Sequence, residues 1–324
     1  MIEVLSNGAL NVVQDAGRVG HLDLGVSRSG AMDLPALQIA NLLVGNDENA
    51  AGLEISIFPF RVKVLQDTWF ACTGASTTVT LQQRSYPSWW VAPARAGEVL
   101  TVAPPSAGSR AVLAFRGGID VAPVLGSRST DLKSGFGGLE GRGLRKGDCL
   151  RRDRAERPAV LRSLGVAPKD RRAFLDELAS GVAKVRVVAA AEYEAFSDAA
   201  RLAFGSTEYR LTPDCNRQGY RLEGALLKTT RSLELLSHAV VPGVVQVPPA
   251  GQPIVQMAEA NTIGGYPKIA TVIECDLWRL AQLRPGQRIR FESVSHATGV
   301  VVLRDHLAGL ERLRQSLALV GRNA

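Results

Sequence analysis

The chain has 324 residues, 46% hydrophobic and 21% charged, with a mean hydropathy of +0.04. This balance suits a folded protein of two compact domains and excludes a largely disordered chain. The formal charge of +7 does not argue for nucleic acid, because eleven bases against four acids between Arg142 and Arg172 carry the excess, with no interleaved aromatics to stack on bases.

The N-terminal stretch MIEVLSNGALNVVQDAG lacks the basic leader and apolar core of a signal peptide. No uncharged apolar run is long enough to cross a bilayer, so the expectation is a cytoplasmic protein without a membrane. To about residue 150 the chain reads as short apolar runs, at 60–65, 69–73, 77–81 and 111–115, separated by Gly, Pro, Asn and Asp. That is a β-rich pattern. One helix interrupts it over 34–43, with Asp33 as its cap and Gly45 as its stop.

The basic run follows, with Pro158 and Pro168, and then KDRRAFLDELASGV, which places Phe174, Leu175 and Leu178 on one helical stripe. The domain boundary is expected here, giving domains over 1–184 and 185–324. A second β-rich region runs to about residue 291, closed by the turn and strand of RPGQRIRF. The tail LRDHLAGLERLRQSLALV predicts a terminal helix packed on the second β domain.

Several chemistries lack their residues. Cys72, Cys149, Cys215 and Cys275 make no C-x-x-C pair, and His21, His238, His296 and His306 have no metal-ligand spacing, so no metal is expected. The glycine cluster GFGGLEGRGLRKGD forms neither a P-loop nor G-x-G-x-x-G, and G-x-S-x-G is absent. There is no biotinylation motif. No cofactor is therefore assigned to this chain.

Three polar, glycine-rich stretches are the candidate site. The first, QDAGRVGHLDLGVSRSGAMD, carries Gln14, Asp15, Arg18, Ser29 and Asp33. Arg18 can clamp an oxyanion and Asp15 or Asp33 can accept a proton, although Asp33 alone reads better as a helix cap. The second comprises residues 215–224 and 242–267, with Asn216, Arg217, Tyr220, Arg221, Gln246, Gln252, Gln256, Glu259, Thr262 and Tyr266. Amide-rich pockets suit amide-like ligands, while the β pleat turns about half of such residues to solvent. The third, residues 117–148, holds Arg128, Ser129, Thr130, Asp131 and Arg142 and reads either as an anion-binding loop or as a flap facing a partner.

These stretches resemble the allophanate hydrolase subunit 2 or biotin-dependent carboxyltransferase family, which includes the 5-oxoprolinase component PxpC, KipA and part of urea carboxylase. The motifs are Q-D-A-G-R-V-G from Gln14, S-G-A-M-D ending at Asp33, A-N-L-L-V-G-N from Ala40 and L-E at 53–54. They continue with G-G-I-D from Gly117, L-G-S-R-S-T-D from Leu125, G-R-G-L-R-K-G-D from Gly141, R-x-G-Y-R-L-E-G from Arg217, P-G-V-V-Q-V-P from Pro242, G-Q-P-I from Gly251 and G-G-Y-P-K-I-A from Gly264. The resemblance implies a mainly β fold of two tandem cyclophilin-like β-barrel domains.

It also implies part of an enzyme complex that acts with a PxpB- or KipI-like subunit 1 and with a PxpA-like subunit, opening 5-oxoproline at the expense of ATP. ATP, or carboxybiotin in the urea carboxylase case, then comes through the partners. In that reading the catalytic residues are Asp15, Arg18, Asp33, Arg217 and Glu259. The substrate residues are Gln14, Ser29, Asn216, Tyr220, Arg221, Gln246, Gln252, Thr262 and Tyr266, the groups of both halves converging on one cavity for a lactam or urea. The family's usual S-D-R-M-G is Cys215-Asn216-Arg217-Gln218-Gly219 here, and Glu259 stands where an aspartate is usual. The alternative is a KipA-like regulator that binds a KipI-type kinase inhibitor and catalyses nothing.

Overall fold

The computed structural model describes residues 1–152, 162–231, 233 and 235–322. The centre of the basic run, 153–161, lies outside the described residues. The chain divides into two compact units: Met1–Val19, Ser29–Ala167 and Gly309–Ala324 form the first, and Gly20–Arg28 with Pro168–Ala308 the second. Both are mostly β.

The first unit has two sheets, one of seven strands and one of six. Alternation along the strand Ala107–Phe115 shows how they are used. Ala111, Leu113 and Phe115 enter a core shared with Ile2, Val62 and Leu100 of the other sheet. Val112 and Ala114 point the opposite way and meet Leu37, Ala40 and Val44 of helix α1, Leu34–Val44. The pleat therefore gives this strand two apolar faces, one for each layer. The strands here form two layers around this core rather than a single closed ring.

Helix α1 follows its sequence signals. Asp33 accepts a hydrogen bond from the Ala36 N–H at 3.1 Å, and Gly45, at φ 74°, ends the helix.

In the second unit seven strands close into a barrel in the order Val182–Ala189, Lys268–Val272, Val244–Gln246, Ile254–Gln256, Gly219–Glu223, Tyr209–Cys215 and Arg288–Ser293. The closing pair, Val182–Ala189 with Arg288–Ser293, is parallel. Helix α2, Lys169–Ser180, belongs to this unit and stacks Phe174 edge-on against Trp278 of α4, Leu277–Ala281, at 5.0 Å. Helix α3, Asp198–Ser206, supplies Phe204, which stacks on Phe291 of the barrel at 4.5 Å. A two-stranded ribbon, His238–Ala239 with Ile263–Gly264, stands apart from the barrel sheet.

The terminal helix α5, His296–Arg322, differs from the expectation that it would pack on the second β domain. From Gly309 onward it belongs to the first unit, where Leu310, Leu313 and Leu317 join the α1 cluster. Spacings of three and four residues put these leucines on one face. Among the described residues no helix is long and apolar enough to cross a membrane.

This packing makes a differential prediction. Leu310 is 7% exposed and Leu307 55%. Leu310→Ala should cost about 2–3 kcal/mol of unfolding free energy and Leu307→Ala less than about 0.5 kcal/mol, read by urea titration.

Candidate functional site

In the first unit the fold brings the first and third polar stretches together. The strand Val12–Gln14 ends beside the loop 127–131, whose Thr130 donates both its N–H and its hydroxyl to the Val13 carbonyl at 3.0 Å. Gln14, 1% exposed, donates its Nε2 to the Thr130 carbonyl at 2.9 Å, and its Oε1 is buried without a hydrogen-bond partner among the described residues.

Asp15 laces this loop. Its Oδ1 accepts from Gly17 N (2.8 Å), Ser127 Oγ (2.6 Å) and Ser129 Oγ (2.5 Å), and its Oδ2 from Arg128 N (2.5 Å). Arg18, 1% exposed, donates Nε to the Val124 carbonyl at 3.2 Å and a terminal nitrogen to the Ser129 carbonyl, with its guanidinium 4.5 Å over the Phe136 ring. Gly137 must be glycine here. Its φ is 69°, and a Cβ would collide with Arg18 and with the Ser129 carbonyl.

Asp15 and Arg18 thus meet at Ser129, one through its hydroxyl and the other through its carbonyl. Ser29, at φ 52°, donates to Asp131 Oδ2 at 3.3 Å. Asp33 caps α1. Ser127, Ser129 and Asp131 are not among the catalytic and substrate residues expected from the sequence. Their signal is present in L-G-S-R-S-T-D, but only the fold shows the two serines as partners of Asp15 and Asp131 as the partner of Ser29.

In the second unit the predicted residues separate into local groups. Arg217 and Glu259, 7% and 2% exposed, form a buried ion pair with Nε to Oε1 at 2.5 Å, and the Glu259 N–H donates to the Arg217 carbonyl at 2.8 Å. Beyond the Gly219–Gln256 pair, the Met257 N–H donates to the Gln218 carbonyl and the Glu259 N–H to the Arg217 carbonyl, which ties the two segments together. The carboxylate expected at position 259 therefore acts on Arg217. It fixes the guanidinium through a charge-assisted bond.

Gln246 and Gln256, 6% and 8% exposed, join through Gln256 Nε2 to Gln246 Oε1 at 3.0 Å. Gln252 is engaged at both ends by the Gly224 backbone, at 2.9 and 3.2 Å. Asn216 accepts from the Gln218 and Gly219 N–H groups in the turn between the strands Tyr209–Cys215 and Gly219–Glu223, a duty an aspartate would perform equally. Tyr220 is buried at 2%, Arg221 and Tyr266 are exposed, and Thr262 is half-buried, its carbonyl holding the Val240 N–H.

A cleft of about 480 Å³ lined by Leu178, Gly181, Glu208 and Arg288 contains none of the predicted residues. Among the described residues no group of three or more His, Cys, Asp or Glu is placed to hold a metal ion.

The glycine-rich loop of the first unit is fastened by Arg142, which grips both oxygens of Asp148 at 2.8 and 3.0 Å. Burial disfavours the Asp148 carboxylate, but Arg142 and the Arg145 N–H overcome it and hold its pKa below the ordinary carboxylate value.

Known proteins share this architecture. The family model for the carboxyltransferase domain, subdomains A and B, matches residues 24–293. The C component of the 5-oxoprolinase of Escherichia coli K12 is 44% identical over 313 residues, which cover 97% of this chain and 97% of that protein. The urea amidolyase of Saccharomyces cerevisiae is 30% identical over 305 residues, covering 91% of this chain but 17% of that protein. The crystal structure of the K. lactis urea amidolyase matches with a TM-score of 0.85 at 27% identity, over 96% of this chain and 20% of that chain.

The two ion pairs can be tested separately. Glu259→Ala removes the carboxylate bonded to the buried Arg217 Nε and should cost about 3 kcal/mol, with a coupling of about 1–3 kcal/mol in a double-mutant cycle with Arg217→Ala, measured by urea unfolding. Because the folded pKa of Asp148 is depressed, its contribution is present above the unfolded value near pH 4 and is lost as pH falls through the folded value. Asp148→Asn should therefore flatten the loss of stability on acidification below about pH 4 relative to the wild type.

Proposed function

Because the chain belongs to the carboxyltransferase domain family with subdomains A and B, we propose that it is the PxpC-type component of an ATP-dependent 5-oxoprolinase, opening a cyclic amide together with partner subunits. The observation that carries this reading is the end-to-end match to the C component of a 5-oxoprolinase, 97% of both lengths at 44% identity. The likeness to the urea amidolyases covers only a fifth or less of those chains and favours urea as the second substrate to test.

Opening a lactam requires a group that reads the amide and a donor that takes up the charge developing on its carbonyl oxygen. In the second unit Arg217, oriented by Glu259, is such a donor, and the Gln246–Gln256 pair provides amides for recognition. The first-unit groups Asp15 and Arg18 act as positioning residues, since their hydrogen bonds go to the loop 124–131. The sequence offers no P-loop, so ATP is handled by a PxpB- or KipI-like subunit 1 acting with a PxpA-like subunit.

The test is reconstitution. The chain, co-purified with its subunit 1 and PxpA-like partners, should consume 5-oxoproline only with ATP, and Arg217→Ala should lower kcat by roughly 100-fold. A stable complex that consumes neither 5-oxoproline nor urea would replace this reading with the regulatory, KipA-like one.

A further inference from the structure

A second polar cluster of the barrel unit lies where no predicted catalytic residue was placed. Gln246 and Lys268 are direct cross-strand neighbours, brought into register by a bulge between Val245 and Gln246, so their side chains share one face of the barrel wall. Both are buried, at 6% and 8%. Gln246 accepts from Gln256 through its Oε1, and its Nε2 is buried without a hydrogen-bond partner among the described residues.

Glu192 borders the cluster. Its Oε2 accepts the Lys268 backbone N–H at 3.0 Å and stands 4.0 Å from Lys268 Nζ, and its Oε1 stands 3.8 Å from His238 Nε2. Above lies the ribbon His238–Ala239 with Ile263–Gly264. Gly264 closes directly over the Gln246 amide, for a Cβ there would come within 2.7 Å of Nε2.

The protonation of His238 can be read from its partner. Nδ1 lies 2.9 Å from the Leu236 carbonyl, which can only accept, so Nδ1 carries a proton. The Nε2 of His238 is buried with no hydrogen-bond partner among the described residues. Among the described residues the cluster thus holds one amide donor and one imidazole nitrogen that the chain leaves without a hydrogen bond, beside an ammonium whose nearest carboxylate is beyond hydrogen-bond length. Burying such groups is unfavourable unless something else satisfies them.

We infer that the Gln246–Lys268 cluster beneath the ribbon is a binding site for the amide group of a lactam or urea: Gln246 Nε2 and Lys268 Nζ donate to its carbonyl oxygen. This deepens the proposed function and rests on it for the identity of the ligand. The ribbon, through Gly264, is the roof of this site. A charged donor and a neutral donor on one oxygen favour a carbonyl over an apolar ring.

The experiment titrates the full-length chain with 5-oxoproline and, separately, with urea by calorimetry, using wild type, Lys268→Met, Gln246→Leu and Lys268→Arg, each first checked for an unchanged thermal midpoint. At least one probe should bind the wild type, roughly tenfold or more weaker to Lys268→Met and Gln246→Leu, with most of the affinity restored in Lys268→Arg. Wild-type chain that binds neither probe, or folded Lys268→Met and Gln246→Leu that bind like wild type, overturn the inference. Should Lys268→Met not fold, Gln246→Leu decides by the same criterion. Turnover by the reconstituted complex is measured in parallel. Turnover with an unchanged KM in the variants sinks this site and leaves the proposed function standing, whereas variant-sensitive binding without turnover does the reverse.

Discussion

Every polar group folded away from water must find a partner, and this constraint organises the site regions of both units. Most of the buried polar side chains meet it within the chain. Asp15 accepts four hydrogen bonds, Gln252 uses both ends of its amide on Gly224, and Glu259 closes on Arg217. These residues are committed to architecture. Gln14 Oε1, Gln246 Nε2 and His238 Nε2 do not meet it among the described residues, and ligand chemistry is to be sought beside such atoms.

The lacing in the first unit follows from the same rule. A carboxylate with four donors around it fixes the loop 127–131 against the end of the strand Val12–Gln14, and Arg18 clamps that loop from its carbonyl side. Placed over the Phe136 ring, the buried guanidinium keeps an aromatic surface and directional acceptors at once. The polar richness of this stretch, which looks catalytic in the sequence, is to a large degree the cost of folding a glycine-rich loop without orphaned donors.

The sequence made some of this legible and hid the rest for identifiable reasons. Helix α1 was readable because its signals are local: a cap at Asp33, a glycine stop and apolar periodicity between them. The β character was readable from the short apolar runs, and the family from motifs spread along the chain. The destination of α5 was not, because its leucine stripe specifies a face and not which apolar surface covers it. Nor could the sequence separate Tyr220, inside the barrel, from Arg221, exposed beside it, without knowing which side of the pleat faced inward. Glu192, His238 and Lys268 do not stand out as a site in the sequence because they come from three distant stretches, and only the bulged register sets Lys268 opposite Gln246.

The central claim is that the barrel unit holds the amide of the substrate. Hydrogen–deuterium exchange on the assembled complex, with and without saturating 5-oxoproline, tests it most directly. The account predicts slower exchange in residues 215–219 and 238–268, where Arg217, Glu259 and the ribbon over Gln246 lie. Unchanged exchange there, with protection confined to the first unit, would contradict it.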